Sequence, residues 1–168
     1  MNSPNFLPIA DLTAIDGDTA PPGTLAYFPH KRVEHFGLIA VDQEGTRRVL
    51  SLGGDQPFAV HKAGDGLETA IAISNWRIEV DPTSAVANFY DRLSAGQAFI
   101  AGADTGLVGY FAGPGIRPMP VAINRSGTIN PASNATHRGA FTRWRIVTGP
   151  AERPVVIVDS EQLAPVAS

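Results

Sequence analysis

The chain has 168 residues, 43% of them apolar, which suits one domain with a core large enough to fold without staples. Charged residues make up 17% against about 25% in an average soluble domain, which excludes a solvated disordered chain and a charged coiled coil. With 13 basic and 16 acidic residues, the net charge of −3 gives no electrostatic basis for binding nucleic acid or an anionic membrane.

Glycine (17) and proline (14) exceed their usual share, which points to many short elements separated by turns. There is no cysteine, so disulfides, thiolate metal sites and thiol nucleophiles are all excluded. Met1 to Pro8 carry neither a basic n-region nor an apolar run of signal length. Cytoplasmic synthesis without a signal peptide is therefore the expectation, and later incorporation into a particle is compatible with it.

Residues 1–22 read as an N-terminal arm closed by the turn formers of Asp16–Pro22. A single β domain is expected over 23–160, with a short tail at 161–168. Thr24–Phe28 is strand-like and stops at Pro29. Phe36–Val41, the turn Asp42-Gln43-Glu44-Gly45 and Arg47–Leu52 predict a hairpin. Pro57–Val60 is a shorter strand. Across Ala70–Val80, Trp76, Ile78 and Val80 alternate with Asn75, Arg77 and Glu79, as on a half-buried strand.

Asp81-Pro82-Thr83-Ser84 resembles a helix start, Ala85, Val86, Phe89, Tyr90 and Leu93 recur at helical spacing, and Gly96 follows. One short helix is predicted over about 83–94. Strands are then expected at Ala98–Ala101, Leu107–Phe111 and Met119–Ile123, the last at a sheet edge because Pro120 cannot donate. Residues 124–139 read as a long polar loop or a loose hairpin. Phe141–Val147 and Val155–Val158 are the last strands. The fold class is mainly β: an antiparallel sandwich or barrel of about nine or ten strands with one short helix.

The only two tryptophans sit in similar strings, Asn75-Trp76-Arg77-Ile78-Glu79-Val80 and Arg143-Trp144-Arg145-Ile146-Val147-Thr148. Gly37–Val41 echoes Gly106–Tyr110, Pro22–Tyr27 echoes Ala95–Ile100, and Arg47-x-Val49-x-Ser51 echoes Arg117-x-Met119-x-Val121. Two readings account for this: a duplicated unit of about five strands over 23–80 and 96–148, or the common reuse of Gly-aliphatic and Trp-aliphatic strings by β proteins. The strand order of the two segments distinguishes them.

The chemistry-bearing residues are sparse. His35, His61 and His137 are the candidates for acid–base work, and His30, Glu34 and His35 for a metal site. Their spacing matches no metal-binding or hydrolase motif, so no catalytic residue, metal or cofactor is assigned. Of Asp42, Asp55, Asp65, Asp81, Asp91 and Asp104, three flank Gly or Pro directly (Asp55, Asp65 and Asp81), where turn-forming Asp belongs. Tyr27, Trp76, Phe89, Tyr110 and Trp144 are core or cavity aromatics, and Arg77, Arg143 and Arg145 fall on the opposite strand face, towards solvent or an acidic partner.

Pro22–Phe28 followed by Glu34–Val41 resembles the opening of NlpC/P60-like and lecithin:retinol acyltransferase-like thiol enzymes. His35 matches the histidine of that family. The acidic position holds Thr24 and the chain lacks cysteine, so the resemblance implies a chain without the family's thiol chemistry.

The functional expectation is a non-enzymatic structural protein: a self-associating β domain in a virion or other multi-subunit assembly. Its partners would be further copies or neighbouring subunits, not nucleic acid or membrane. The alternatives are a small β-barrel enzyme or ligand-binding protein with a His/carboxylate/aromatic pocket, and a protein- or glycan-binding module using the 124–139 loop.

Overall fold

A computed structural model describes residues 6–29, 35–62, 69–86, 93–111, 115, 117–132 and 138–163, with the side chains of His35 and Arg138 excepted. Among these residues the chain is mainly β. The strands are β1 (Leu12–Ile15), β2 (Leu25–Phe28), β3 (His35–Val41), β4 (Arg47–Ser51), β5 (Ala59–Lys62), β6 (Ala70–Ile73) and β7 (Arg77–Val80). They continue as β8 (Ala98–Ala101), β9 (Asp104–Phe111), β10 (Met119–Asn124), β11 (Ile129–Pro131), β12 (Arg138–Phe141), β13 (Trp144–Thr148) and β14 (Val155–Asp159). Eleven strands form one sheet, and β14-β13-β7 form a second. The count exceeds nine or ten because several runs that look continuous in sequence are broken by turns. β11 meets β3 only at the single parallel rung Val41↔Thr128, so the large sheet curls without laddering into a closed barrel.

Strand pairing follows one order twice. β2, β3, β4 and β5 form an antiparallel meander, with β6 beside β2; β8, β9, β10 and β11 repeat it, with β12 beside β8. The loop bonds repeat as well. The Gly23 N–H donates to the Ile39 carbonyl and the Ile39 N–H to that of Thr24, at 2.8 and 2.9 Å. The Gly96 N–H donates to the Val108 carbonyl and the Val108 N–H to that of Gln97, both at 2.8 Å. The ladders equate Leu38 with Leu107 and Leu50 with Ile123, so Arg47 and Arg48 correspond to Pro120 and Val121 rather than to Arg117 and its neighbour. Counting β7 and β13, each unit has six strands rather than five.

The units exchange contacts symmetrically. The Val41 N–H donates to the Gly127 carbonyl at 2.7 Å, and the Tyr110 N–H, at the equivalent position, donates to the Phe58 carbonyl at 2.9 Å. β7 pairs with β13 about the rung Ile78↔Ile146, two equivalent residues facing each other across a local two-fold axis. Burial follows suit. Leu38, Leu50, Val60 and Trp76 share one central core with Leu107, Ile123, Ile129 and Trp144. Each unit also keeps a satellite core: Ala26, Ile39 and Val49 in the first, Phe99, Val108 and Ala122 in the second.

Three sequence expectations are corrected and one pair of alternatives is decided. Ala70–Val80 is not one strand: Asn75, at φ +55°, turns the chain out of the large sheet into the small one. The helix over 83–94 does not begin where predicted. Pro82–Ser84 forms a 3-10 turn, Ala85 then extends to bridge Phe141, and the Val86 N–H donates to the Ala140 carbonyl at 2.8 Å. Ladder bonds to β12 thus outweigh a short helix of modest propensity. Residues 87–92, including Phe89 and Tyr90, lie outside the described residues. β10 is an interior strand, and Pro120 is accommodated because the β11 ladder covers only Val121–Ile123. Of the two readings of 124–139, the hairpin is the one that its described residues form: Asn124 Oδ1 accepts the Thr128 N–H at 2.8 Å in a tight turn leading into β11.

Phe58 illustrates how the doubled fold constrains sequence. It has φ +69°, and its equivalent is Gly127 at φ +83°. An L-residue in this left-handed region gives up about 1–2 kcal/mol. The buried ring offsets that cost by packing edge-on against Trp144 at 5.9 Å. Both Phe58→Ala and Phe58→Gly are expected to destabilise by about 2–4 kcal/mol. Gly should be the milder of the two by about 1 kcal/mol, the reverse of their usual order. Denaturant unfolding of both variants checks the inversion.

Candidate functional site

One cleft opens at the β3–β4 turn. Asp42 organises that turn: its Oδ1 accepts the Glu44 and Thr46 N–H groups at 3.0 and 2.8 Å, and Gly45 takes φ +79°. Its Oδ2 accepts from Arg48 Nε at 3.1 Å. Burial acts to raise the Asp42 carboxyl, but the Thr46 and Glu44 amides and the Arg48 guanidinium outweigh it and hold the group below its ordinary range. The Arg48 guanidinium lies over the Phe111 ring, 5.4 Å from its centroid. Opposite stand Met119 and Val121 of β10 and Ile129 and Pro131 of β11, enclosing about 450 Å³.

This cleft lies on the local two-fold. Arg48 is equivalent to Val121, and Asp42 to Phe111, because Val41 pairs as Tyr110 does. One side therefore carries a carboxylate and a guanidinium where the other carries an aromatic and an aliphatic group. Sequence reasoning treated Asp42 only as a turn former and passed over Arg48 and Phe111. The spacing of Asp42, Gly45 and Arg48 around a hairpin was the available signal. The Phe111 contact depends on the parallel β5·β9 rungs, which no local pattern announces.

A second, charged cleft of about 330 Å³ lies on the small sheet. Arg145 Nη2 and Arg77 Nη2 meet opposite oxygens of Glu79 at 2.7 and 3.1 Å, and Arg143 Nη2 meets Asp81 Oδ2 at 2.7 Å. The hydrogen bond from Arg145 leads in holding Glu79 below its ordinary range, with Arg77 adding to it against the opposing effect of burial. The three arginines, expected to face solvent or an acidic partner, meet acidic groups of their own chain, with Arg143 and Arg145 still about half exposed.

The histidines are not gathered. His61 is half-buried on β5 opposite Val49, and neither cleft has a histidine among its described lining residues. His30, Glu34 and His137 lie outside the described residues, as does the His35 side chain. Among the described residues no group of three or more His, Asp or Glu is placed to hold a metal ion. Trp76 and Trp144 are core residues; the Trp144 indole N–H donates to the Gly96 carbonyl at 2.8 Å, and Arg125 stacks on Trp76 at 4.7 Å. No helix among the described residues is long and apolar enough to cross a membrane.

Fold and clefts together define an all-β domain of two like units with an amphipathic cleft at their junction. The chain belongs to the family described as Uncharacterised protein y4lG, whose model matches residues 19–165. No curated protein and no solved structure matches it.

The ion pairs give a pH signature. Glu79 titrates below its ordinary value of 4.5, so its stabilisation is complete above that value and is lost as pH falls through the lowered one. Thermal unfolding between pH 7 and 3 should show the midpoint falling below about pH 4.5. In Glu79→Gln the fall should be shallower, with a lower midpoint at pH 7.

Proposed function

We propose that the chain is a non-enzymatic, self-associating β domain whose partner is a second copy, docked through its N-terminal segment. The observation that carries this is the exposure of Phe6 (83%) and Ile9 (86%), two large apolar side chains beside an open sheet edge. They do not belong to a loose tail. Leu7 and Leu12, between and beyond them, pack on the central core, and β1 is laddered to β6 from Leu12↔Ile73 to Ile15↔Ala70.

The sheet edges differ in how they are protected. β7, at the edge of the small sheet, presents Arg77 and Glu79, and charges at an edge discourage strand addition. β1 is Leu12-Thr13-Ala14-Ile15, with no charge and with Thr13 and Ala14 exposed. An antiparallel pairing of β1 with β1 of a second copy would satisfy its outer N–H and C=O groups and cover Phe6 and Ile9. Such a two-fold contact closes on itself.

Native mass spectrometry and light scattering at micromolar concentration test the reading. The wild-type chain should be a dimer or larger oligomer, and Phe6→Ser/Ile9→Ser and, separately, Ala14→Lys should be monomers with unchanged circular dichroism. A monomeric wild type, or an oligomer indifferent to both changes, defeats it.

A further inference from the structure

We propose that the cleft at the unit junction is a binding site for a small amphipathic carboxylate, with the acid group held by Arg48 and an apolar or aromatic body on the wall of β10 and β11. This goes beyond self-association and does not depend on it.

Arg48 is a preorganised anion reader. Its side chain is three-quarters buried, at 25% exposure. Nε is fixed by Asp42 and the guanidinium plane is supported by Phe111. Among the described residues, no protein group accepts from its two Nη atoms, which leaves the forked edge that binds a carboxylate with two parallel bonds. Asp42 does not compete for it, since its oxygens already accept from two amides and Nε. Lys62, opposite Arg48 in the β4·β5 ladder and exposed, sets a positive charge on the same face against the Glu44 carboxylate that also lines the cleft.

The fold contains its own control. The second unit builds the same two positions with Val121 and Phe111, so an ion pair is not what this strand geometry requires. The turn uses only Oδ1 of Asp42, so the partial desolvation of Arg48 beside Oδ2 is an expense that the turn itself does not require. The apolar side, with Met119 and Ile129, suits the body of a ligand, and about 450 Å³ lies within the range of small-molecule sites.

The test is calorimetric titration of the full chain with ω-phenylalkanoates, from phenylpropanoate to phenylhexanoate, and with their primary amides. At least one acid should bind saturably, and its amide should bind about tenfold or more weakly. Arg48→Gln should abolish that preference. Met119→Glu, at a position 59% exposed and so harmless to folding, should weaken the acid far more than the amide. The proposal is overturned if no acid in the series binds or if acids and amides bind alike. It is equally overturned if the preference survives Arg48→Gln or, should that variant not fold, survives Met119→Glu.

Discussion

The pairing of β7 with β13 is the constraint on which the rest of the structure depends. Each of these strands leaves the meander of its own unit at a sharp break, Asn75 in one and the Thr142–Arg143 bend in the other. Having left, neither can complete its backbone hydrogen bonds within its unit, and buried backbone groups left unpaired are costly. Each finds its partner in the counterpart, about the Ile78↔Ile146 rung. Once that rung is set, Trp76 and Trp144 are carried into one core, and the crosswise bonds from Val41 and Tyr110 fall into register. The central core is thus jointly owned, and only the satellite clusters around Ile39 and Val108 belong to a single unit.

A scaffold of this kind shows which residues the fold requires and which it merely tolerates. Where equivalents agree in kind, as with Leu38 and Leu107 or Leu50 and Ile123, the geometry demands an aliphatic group. Where they disagree, the cause is local. Gly127 and Phe58 share a left-handed backbone, but only Phe58 has a tryptophan ring to meet. Glu79 corresponds to Val147, which is fully buried because β14 flanks β13 on the side where β7 has an open edge. Arg48 meets the turn carboxylate Asp42 where Val121 has Phe111, but the turn is held through the other Asp42 oxygen, which is why the cleft invites a chemical explanation.

The mainly β character was legible because short aliphatic runs between Gly, Pro and Asp signals are a local property. The β3–β4 hairpin shows this well: Asp42 and Gly45 fix its turn whatever surrounds it. The paired Trp-Arg-Ile strings were legible too, as text, though not the antiparallel meeting of the strands that contain them. What escaped was decided at long range. Pro82–Val86 carries helix-start chemistry, but β12 lies beside it and recruits its backbone. β1 was hidden inside an apparent arm because Leu12-Thr13-Ala14-Ile15 is too short to signal a strand without β6. The cleft was illegible for the same reason, since its two walls come from residues more than sixty positions apart, joined by the β5·β9 rungs and the single Val41↔Thr128 rung.

Edge and cleft are linked through the doubling itself. A two-fold arrangement satisfies paired positions on its axis equally, but its outermost strands have no counterpart within the chain. In the second unit Ala85 and Val86 lie against β12 where β1 lies against β6, by one bridge and one hydrogen bond rather than a ladder. The small sheet resolves its own ends unequally, covering β13 with β14 and leaving β7 with charges. At β1 neither device is used among the described residues: none of them adds a covering strand, a charge or a bulge there, and Phe6 and Ile9 stand beside it. An uncharged edge flanked by exposed aromatic and aliphatic groups is unfavourable for an isolated chain in water. The β1–β1 pairing proposed above would cover this edge by the same two-fold logic that joins β7 to β13 within the chain.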